Sequence, residues 1–129
     1  MITYQWRGTF TSSEVGTLHA AAFGHRDARN WRDQVEGHSL GWVCARNGGD
    51  LAGFVNVAWD GGAHAFVLDT MVAPGMHRQG TGTRLIALAV AEARQAGCRW
   101  LHVDFEEHLR PFYLGGCGFT PSAAGLIAL

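Results

Sequence analysis

The stretch from Leu68 to Gln95, LDTMVAPGMHRQGTGTRLIALAVAEARQ, constrains this chain more than any other. Strand-forming residues run into Pro74, a short basic turn follows with Gly80 and Gly82, and an amphipathic helix begins at once. A helix start that follows a strand and a glycine turn presents unpaired backbone N–H groups and the positive end of the helix dipole to an anion. Glycines there allow backbone conformations and close approach that other residues resist. The pattern therefore predicts a grip on a phosphate-bearing cofactor, in the form of a pyrophosphate cradle. It is not the dinucleotide fingerprint, because Thr83-Arg84-Leu85 follows Gly82 where a third glycine would be due. It is not a nucleoside-triphosphate loop either, since no GK[ST] is present.

The chain has 129 residues, which predicts a single domain over residues 1–129. Hydrophobic residues make up 47% of it, enough for a sizeable core. The formal charge of −1 lacks the basic excess of a nucleic-acid binder. No apolar run is long enough to span a bilayer, and the first residues do not read as a signal peptide, so no membrane partner and a cytoplasmic location are expected. Cys44, Cys98 and Cys117 form no CxxC pair, so they read as buried thiols of a reducing compartment and no metal is expected.

Local patterns predict the element order. Ile2 to Arg7 reads as a strand. Thr11-Ser12-Ser13-Glu14 reads as a capping box opening a helix with Val15, Leu18 and Ala22 on one face. Asn30 caps a short second helix carrying Trp31 and Val35. Leu40 to Arg46, Leu51 to Trp59 and Ala65 to Val72 read as three antiparallel strands, separated by Asn47-Gly48-Gly49-Asp50 and Asp60-Gly61-Gly62. Leu85, Ile86, Leu88, Ala89, Val90 and Ala93 then repeat with helical spacing, and Gly97 suits the position after the helix end. Trp100 to Phe105 is a further strand, reached by a crossover that predicts parallel pairing. Pro111 opens a short helix with Phe112, Tyr113 and Leu114, and Gly125 to Leu129 is expected to close the chain as a strand.

Two marks carry a resemblance. His77-Arg78-Gln79-Gly80-Thr81-Gly82 follows a strand ending in Val72-Ala73-Pro74, and Phe112-Tyr113 precedes Gly118-Phe119. Together they resemble the GNAT superfamily of acyl-CoA-dependent N-acetyltransferases, whose signature is Q/R-x-x-G-x-G/A after V-x-P. The likeness is strong from about Ala65 to Phe119 and topological before that. His77 stands where that family prefers Gln or Arg, and the gap from the FY pair to GF is one residue longer than its commonest spacing.

The resemblance implies an α/β (α+β) fold of the GNAT type, a central mixed, twisted sheet with helices on both faces. It implies acetyl-CoA as co-substrate, transferred directly to a primary amine of a small molecule or peptide, with no covalent enzyme intermediate. Backbone groups around Met71 and Val72 would pair with the pantetheine arm. The turn residues His77, Arg78, Gln79, Gly80, Thr81, Gly82 and Thr83 would hold the pyrophosphate. Tyr113 would be the acid that protonates the leaving thiolate. Asp69 interrupts an apolar strand, so it is either the base that takes the amine proton or a carboxylate satisfied by local donors. His102, Asp104 and Glu106 either line the acceptor site or belong to a solvated strand end, and Trp31 is a candidate wall of that cleft. The apolar last residues Leu126, Ile127 and Leu129 leave a homodimer open. The other reading is a non-catalytic module of the same fold that binds CoA or dimerises.

Overall fold

A computed structural model describes residues 1–129, with the side chain of Arg78 outside the described set. Its elements are β1 (Ile2–Trp6), α1 (Ser12–Phe23), α2 (Trp31–His38), β2 (Ser39–Asn47), β3 (Asp50–Trp59), β4 (His64–Val72), α3 (Thr81–Gln95) and β5 (Trp100–Val103). Short 3₁₀ turns lie at His77–Gln79 and Glu107–Leu109, and a π-helical turn covers Pro111–Gly116. The strands form one sheet in the order β1-β2-β3-β4-β5. All neighbours are antiparallel except β4 and β5, which run parallel.

Each end of the helices follows from local chemistry. Thr11 caps α1 by accepting the Glu14 N–H at 3.0 Å, and Glu14 accepts the Thr11 N–H at 3.0 Å, which completes the expected capping box. Asn30 accepts the Asp33 N–H and starts α2. Helix α3 stops at Gly97, whose φ of 89° is left-handed. There the Cys98 N–H bonds to Ala93 O and the Gly97 N–H to Arg94 O, the paired closure a glycine permits.

The sheet separates two cores because neighbouring residues of a strand face opposite sides. Val43, Ala45, Val55 and Val57 meet Leu85, Ile86, Ala89 and Ala93 of α3 on one face. Trp42, Cys44, Phe54 and Met71 meet Val15, Leu18, Trp31 and Val35 of α1 and α2 on the other. Each fully buried Leu, Ile or Val contributes about 1.5–3 kcal/mol.

Three expectations are corrected. β5 ends at Val103 rather than Phe105, since its pairing with β4 stops at the Val67–Val103 rung. Residues Gly125–Leu129 form no strand; from Thr120 onward the chain is exposed and without regular structure. The helix after Pro111 is a π turn, with the Cys117 N–H reaching Phe112 O five residues back at 2.9 Å. That wider turn absorbs the extra residue between Phe112-Tyr113 and Gly118-Phe119.

Candidate active site

The site begins with a break in β4. Phe54 of β3 pairs with Met71 and Asn56 pairs with Leu68, so two steps on β3 oppose three on β4. The extra residue is a β-bulge, and Asp69 within it has a φ of 56°, left-handed backbone that Asp and Asn tolerate better than other side-chain-bearing residues. Before the bulge β4 pairs with β5 from His64 to Val67. Beyond it, among the described residues, no backbone hydrogen bond joins Leu68–Val72 to β5. The two parallel strands thus part, and a row of β4 backbone groups is left open between them.

Asp69 and Thr70 sit at this opening with different neighbours. Burial pushes the Asp69 carboxyl above the usual carboxylate range, and Arg29 and then His19 offset part of that rise. Arg29 comes from the α1–α2 connection. Its Nε donates to Asp27 Oδ2 at 3.0 Å, its guanidinium lies 4.1 Å from the Trp31 ring centre, and it holds Asp27 down to about 2. His19 is buried on α1 between Phe23, His25 and Trp31. Its Nδ1 lies 3.1 Å from His25 O, and a carbonyl only accepts, so Nδ1–H donates there and Nε2 is the ring nitrogen left over.

Tyr113 approaches from the α3 side. It is buried, stacked on Phe105 with ring centres 5.0 Å apart, and edge-on to Phe112 and Phe119. Burial pushes its phenol up, and the neighbouring Thr70 hydroxyl pulls it back in part without closing a well-formed hydrogen bond. Thr70 Oγ1 is buried with no partner among the described residues.

The turn after β4 leads into α3. Gly80 has a left-handed φ of 71° and no side chain caps the helix. Arg84 N–H is bonded to Gly80 O at 3.1 Å, so the amides of Thr81, Gly82 and Thr83 start the helix with no partner inside it. Thr81 Oγ1 is fully buried and likewise without a partner among the described residues.

The family model for the acetyltransferase (GNAT) family matches residues 3–119. The chain belongs to the acetyltransferase (GNAT) family. A GNAT-family acetyltransferase of Streptococcus pneumoniae is 26% identical, with a TM-score of 0.83, covering 100% of this chain and 98% of that one. A probable acetyltransferase of meticillin-resistant Staphylococcus aureus has a TM-score of 0.85 at 16% identity, over 100% and 98% of the two chains. AAC(6')-Iy, solved with the bisubstrate analog CoA-S-monomethyl-acetylneamine, has a TM-score of 0.78 at 17% identity, over 100% and 97%. No curated protein sequence matches the chain.

In this GNAT acetyltransferase the residues fit a CoA-type group on two counts. The open backbone edge of Leu68–Val72 suits amide partners, and the uncapped helix start suits phosphate. Two buried hydroxyls, Thr70 on β4 and Thr81 at the start of α3, have no partner among the described residues, and that of Thr81 is wholly enclosed by protein. Met71 and Val72 turn their side chains into the two cores, so only their backbone is available. His77, Gln79 and Gly80 are exposed in the turn, and the expectation for the Arg78 side chain lies outside the described residues.

The expected acceptor group does not assemble as one set. Trp31 is fully buried beneath Arg29, with its Nε1 donating to Asp27 O at 3.2 Å, so it supports the cleft from below and does not wall it. His102 lies in the paired part of β5, its Nε2 2.7 Å from His64 Nδ1 and its ring stacked on Phe66. Glu106 is exposed and turns to His108 at 3.4 Å. Asp104, one residue past the end of β5, is exposed on the strand's continuation beside the opening. The sequence reading missed His19, Asp27, Arg29 and Thr70. His19 was hidden by its place on a helical apolar stripe with Val15 and Leu18, and the run His25-Arg26-Asp27-Ala28-Arg29 read as a plain polar connection.

Proposed function

We propose that residues 1–129 act as one acetyl-CoA-dependent N-acetyltransferase domain that moves an acetyl group directly to a primary amine. The observation that carries this reading is the Asp69 bulge, beyond which β4 has no rungs to β5, with the half-buried Asp69 within it and the buried Tyr113 phenol beside its neighbour Thr70. Acetyl-CoA supplies an acetyl group already activated as a thioester. Met71 and Val72 would meet its pantetheine arm through their backbone, and the turn from His77 through Thr83, including Arg78, Gln79, Gly80, Thr81 and Gly82, would hold its pyrophosphate.

Asp69 binds the acceptor's ammonium and accepts its proton. A carboxyl held above its ordinary range is the better base near neutral pH, where a lysine-like amine with a pKa of about 10 is mostly protonated. Tyr113 keeps the proton on Oη that the departing sulfur needs. Arg29 and Asp27, which act on Asp69, and Asp104 just past the end of β5 would border the place of the acceptor. No thiol competes as nucleophile, since burial pushes Cys44 up to about 11 and raises Cys98 and Cys117 as well. The three free cysteines fit the reducing cytoplasm. The partners in this reading are a small-molecule or peptide amine and a second copy of the chain.

A thermal melt with acetyl-CoA, CoA, NAD and ATP in turn, followed by thiol release against a panel of amines, tests the reading. A ligand at about a hundred times its Kd adds roughly 2.7 kcal/mol. A shift with the two CoA species alone and release with an amine supports transfer. A shift without release from any amine points to a binding module, and no shift rejects the cradle.

A further inference from the structure

On the α1/α2 side of the sheet, the surface leading to the gap is built largely of flat rings. Side chains alternate along a strand. Ala65 and Val67 of β4 and Leu101 and Val103 of β5 join the α3 core, so His64, Phe66, Leu68, Trp100 and His102 face the other way. Phe66 stacks on His102 with ring centres 4.8 Å apart and planes 20° apart. His102 stacks in turn on His64 at 5.0 Å and 30°. His64 Nδ1 lies 2.7 Å from His102 Nε2, a hydrogen bond that holds the two imidazoles together. Helices α1 and α2 pack over β2, β3 and the end of β4, leaving Phe66, Leu68 and Trp100 38%, 45% and 63% exposed.

The rings run up to Asp69. Leu68 precedes it directly and Phe66 is three positions back, roughly 10 Å along a strand. The charges acting on Asp69 are those of Arg29, His19 and Asp27, from α1 and the connection after it, so its carboxyl lies on the same side of the sheet as the rings. The other acids near the opening are mostly occupied. Arg29 holds Asp27, Arg110 holds Glu107, and Glu106 turns to His108. Among the described residues Asp69 and Asp104 make no ion pair. A half-buried carboxylate beside an apolar ring surface complements one ammonium carrying a flat apolar body. A polycation would find too few free carboxylates, and a polyhydroxylated amine would meet ring faces where its hydroxyls need partners.

We propose that the acceptor is an arylalkylamine, whose ammonium meets Asp69 and whose ring, two or three carbons away, lies over Leu68 and against the Phe66–His102 stack. This rests on the acetyl-transfer reading and names its substrate class. One ammonium proton goes to Asp69 and on to water. The bond from nitrogen to the acetyl carbon forms and the bond from that carbon to sulfur breaks. The sulfur takes its proton from Tyr113, and the second proton that nitrogen loses restores the phenol. Phe66 and His102 take no part in these steps; they select the acceptor by the shape and stacking of its ring.

The test is thiol release from acetyl-CoA with 2-phenylethylamine, butylamine and spermidine, on the full chain and on Phe66→Leu and His102→Gln. Leucine keeps the apolar bulk and removes the plane, and glutamine keeps a polar group without the ring. Both positions are exposed, and a retained acetyl-CoA melting shift verifies that each variant is folded. The expected kcat/KM for 2-phenylethylamine is at least about tenfold above that for the other two amines, mainly through KM. That preference should fall at least about threefold in each variant. Equal or better release with butylamine, spermidine or any other non-aryl amine would leave transfer standing and overturn the acceptor class, as would a preference that neither variant reduces. No release with any amine of the wider panel, with the melting shift intact, would sink the transfer reading and the acceptor class together.

Discussion

The edge of the Phe112 ring fills the place where a side chain on Gly82 would begin: a Cβ built there lies 3.1 Å from Phe112 Cε1 and Cζ and 3.6 Å from Val72 Cγ2. The glycine turn and the FY pair, thirty positions apart, are thus two sides of one contact. Phe112 in turn stands edge-on to Tyr113 with centres 4.7 Å apart.

Gly82→Ala therefore acts through the aromatic pair. The methyl group gains up to about 1 kcal/mol in helix propensity, which offsets much of the cost of shifting Phe112. Stability should change by less than about 1 kcal/mol, while turnover falls roughly tenfold or more because Tyr113 is moved. Melting and kcat measured on the same preparation check this, and an unchanged kcat would remove the link between ring and phenol.

Tyr113→Phe should leave the melting temperature close to that of the parent chain, since the hydroxyl makes no well-formed hydrogen bond. Turnover should drop by about 10²-fold with the acetyl-CoA melting shift retained. Burial raises the phenol pKa, so its proton is held past the ordinary tyrosine value of about 10. The parent enzyme should accordingly show no alkaline loss of kcat from this group below that pH. Equal turnover in the two proteins would rule out an acid role.

Asp69→Asn should separate stability from activity. Burial raises the carboxyl's pKa, so the folded state binds its proton more tightly than the unfolded chain. That contribution is full at low pH and is lost as pH rises from the unfolded value of about 3.9 through the folded one. Asparagine has no charge to desolvate and tolerates the left-handed φ. The variant should melt at or above the parent temperature near neutral pH, with the gain vanishing below about pH 4, and turn over about 10²-fold more slowly. Melting curves and rates across pH decide it; a parent-like rate profile would move the base elsewhere.

Glu14→Gln tests the anchor of α1. Arg46 first, then the Thr11 backbone, hold the Glu14 carboxyl low against burial, with Arg46 Nη1 to Oε2 at 2.7 Å and Nη2 to Oε1 at 3.0 Å. A lowered carboxylate pKa stabilises the fold above its unfolded value and ceases to do so as pH falls through the folded value. Glutamine keeps the cap on Thr11 but not the ion pair. The loss should be about 0.5–1 kcal/mol near neutral pH and should close below about pH 4 in urea titrations.

Most of the architecture was legible because it is written in local signals. Thr11 and Glu14 announce α1, the Asn-Gly and Asp-Gly turns announce the antiparallel strands, and Gly97 announces the end of α3. The cradle was legible for the same reason, since strand, turn and helix start are adjacent in the chain. The bulge at Asp69 was not. A non-glycine residue gives no local notice of positive φ, and only pairing with β3 imposes it. Trp31 misled because an aromatic beside a polar connection looks like a ligand wall, whereas tertiary packing buries it. Gly125–Leu129 has the composition of a strand, but composition does not name a partner strand, and the segment pairs with none.

The odd residue in β4 also works as a phase change. Side chains on a strand alternate, so an insertion of one restores Met71 and Val72 to the cores that a simple count from Val67 would deny them. Excising that one residue would let β4 run in step with β3 to its end, with nothing left to part it from β5. The crevice is thus held open by an error in counting, and a deletion of a single codon would heal the sheet and abolish the enzyme.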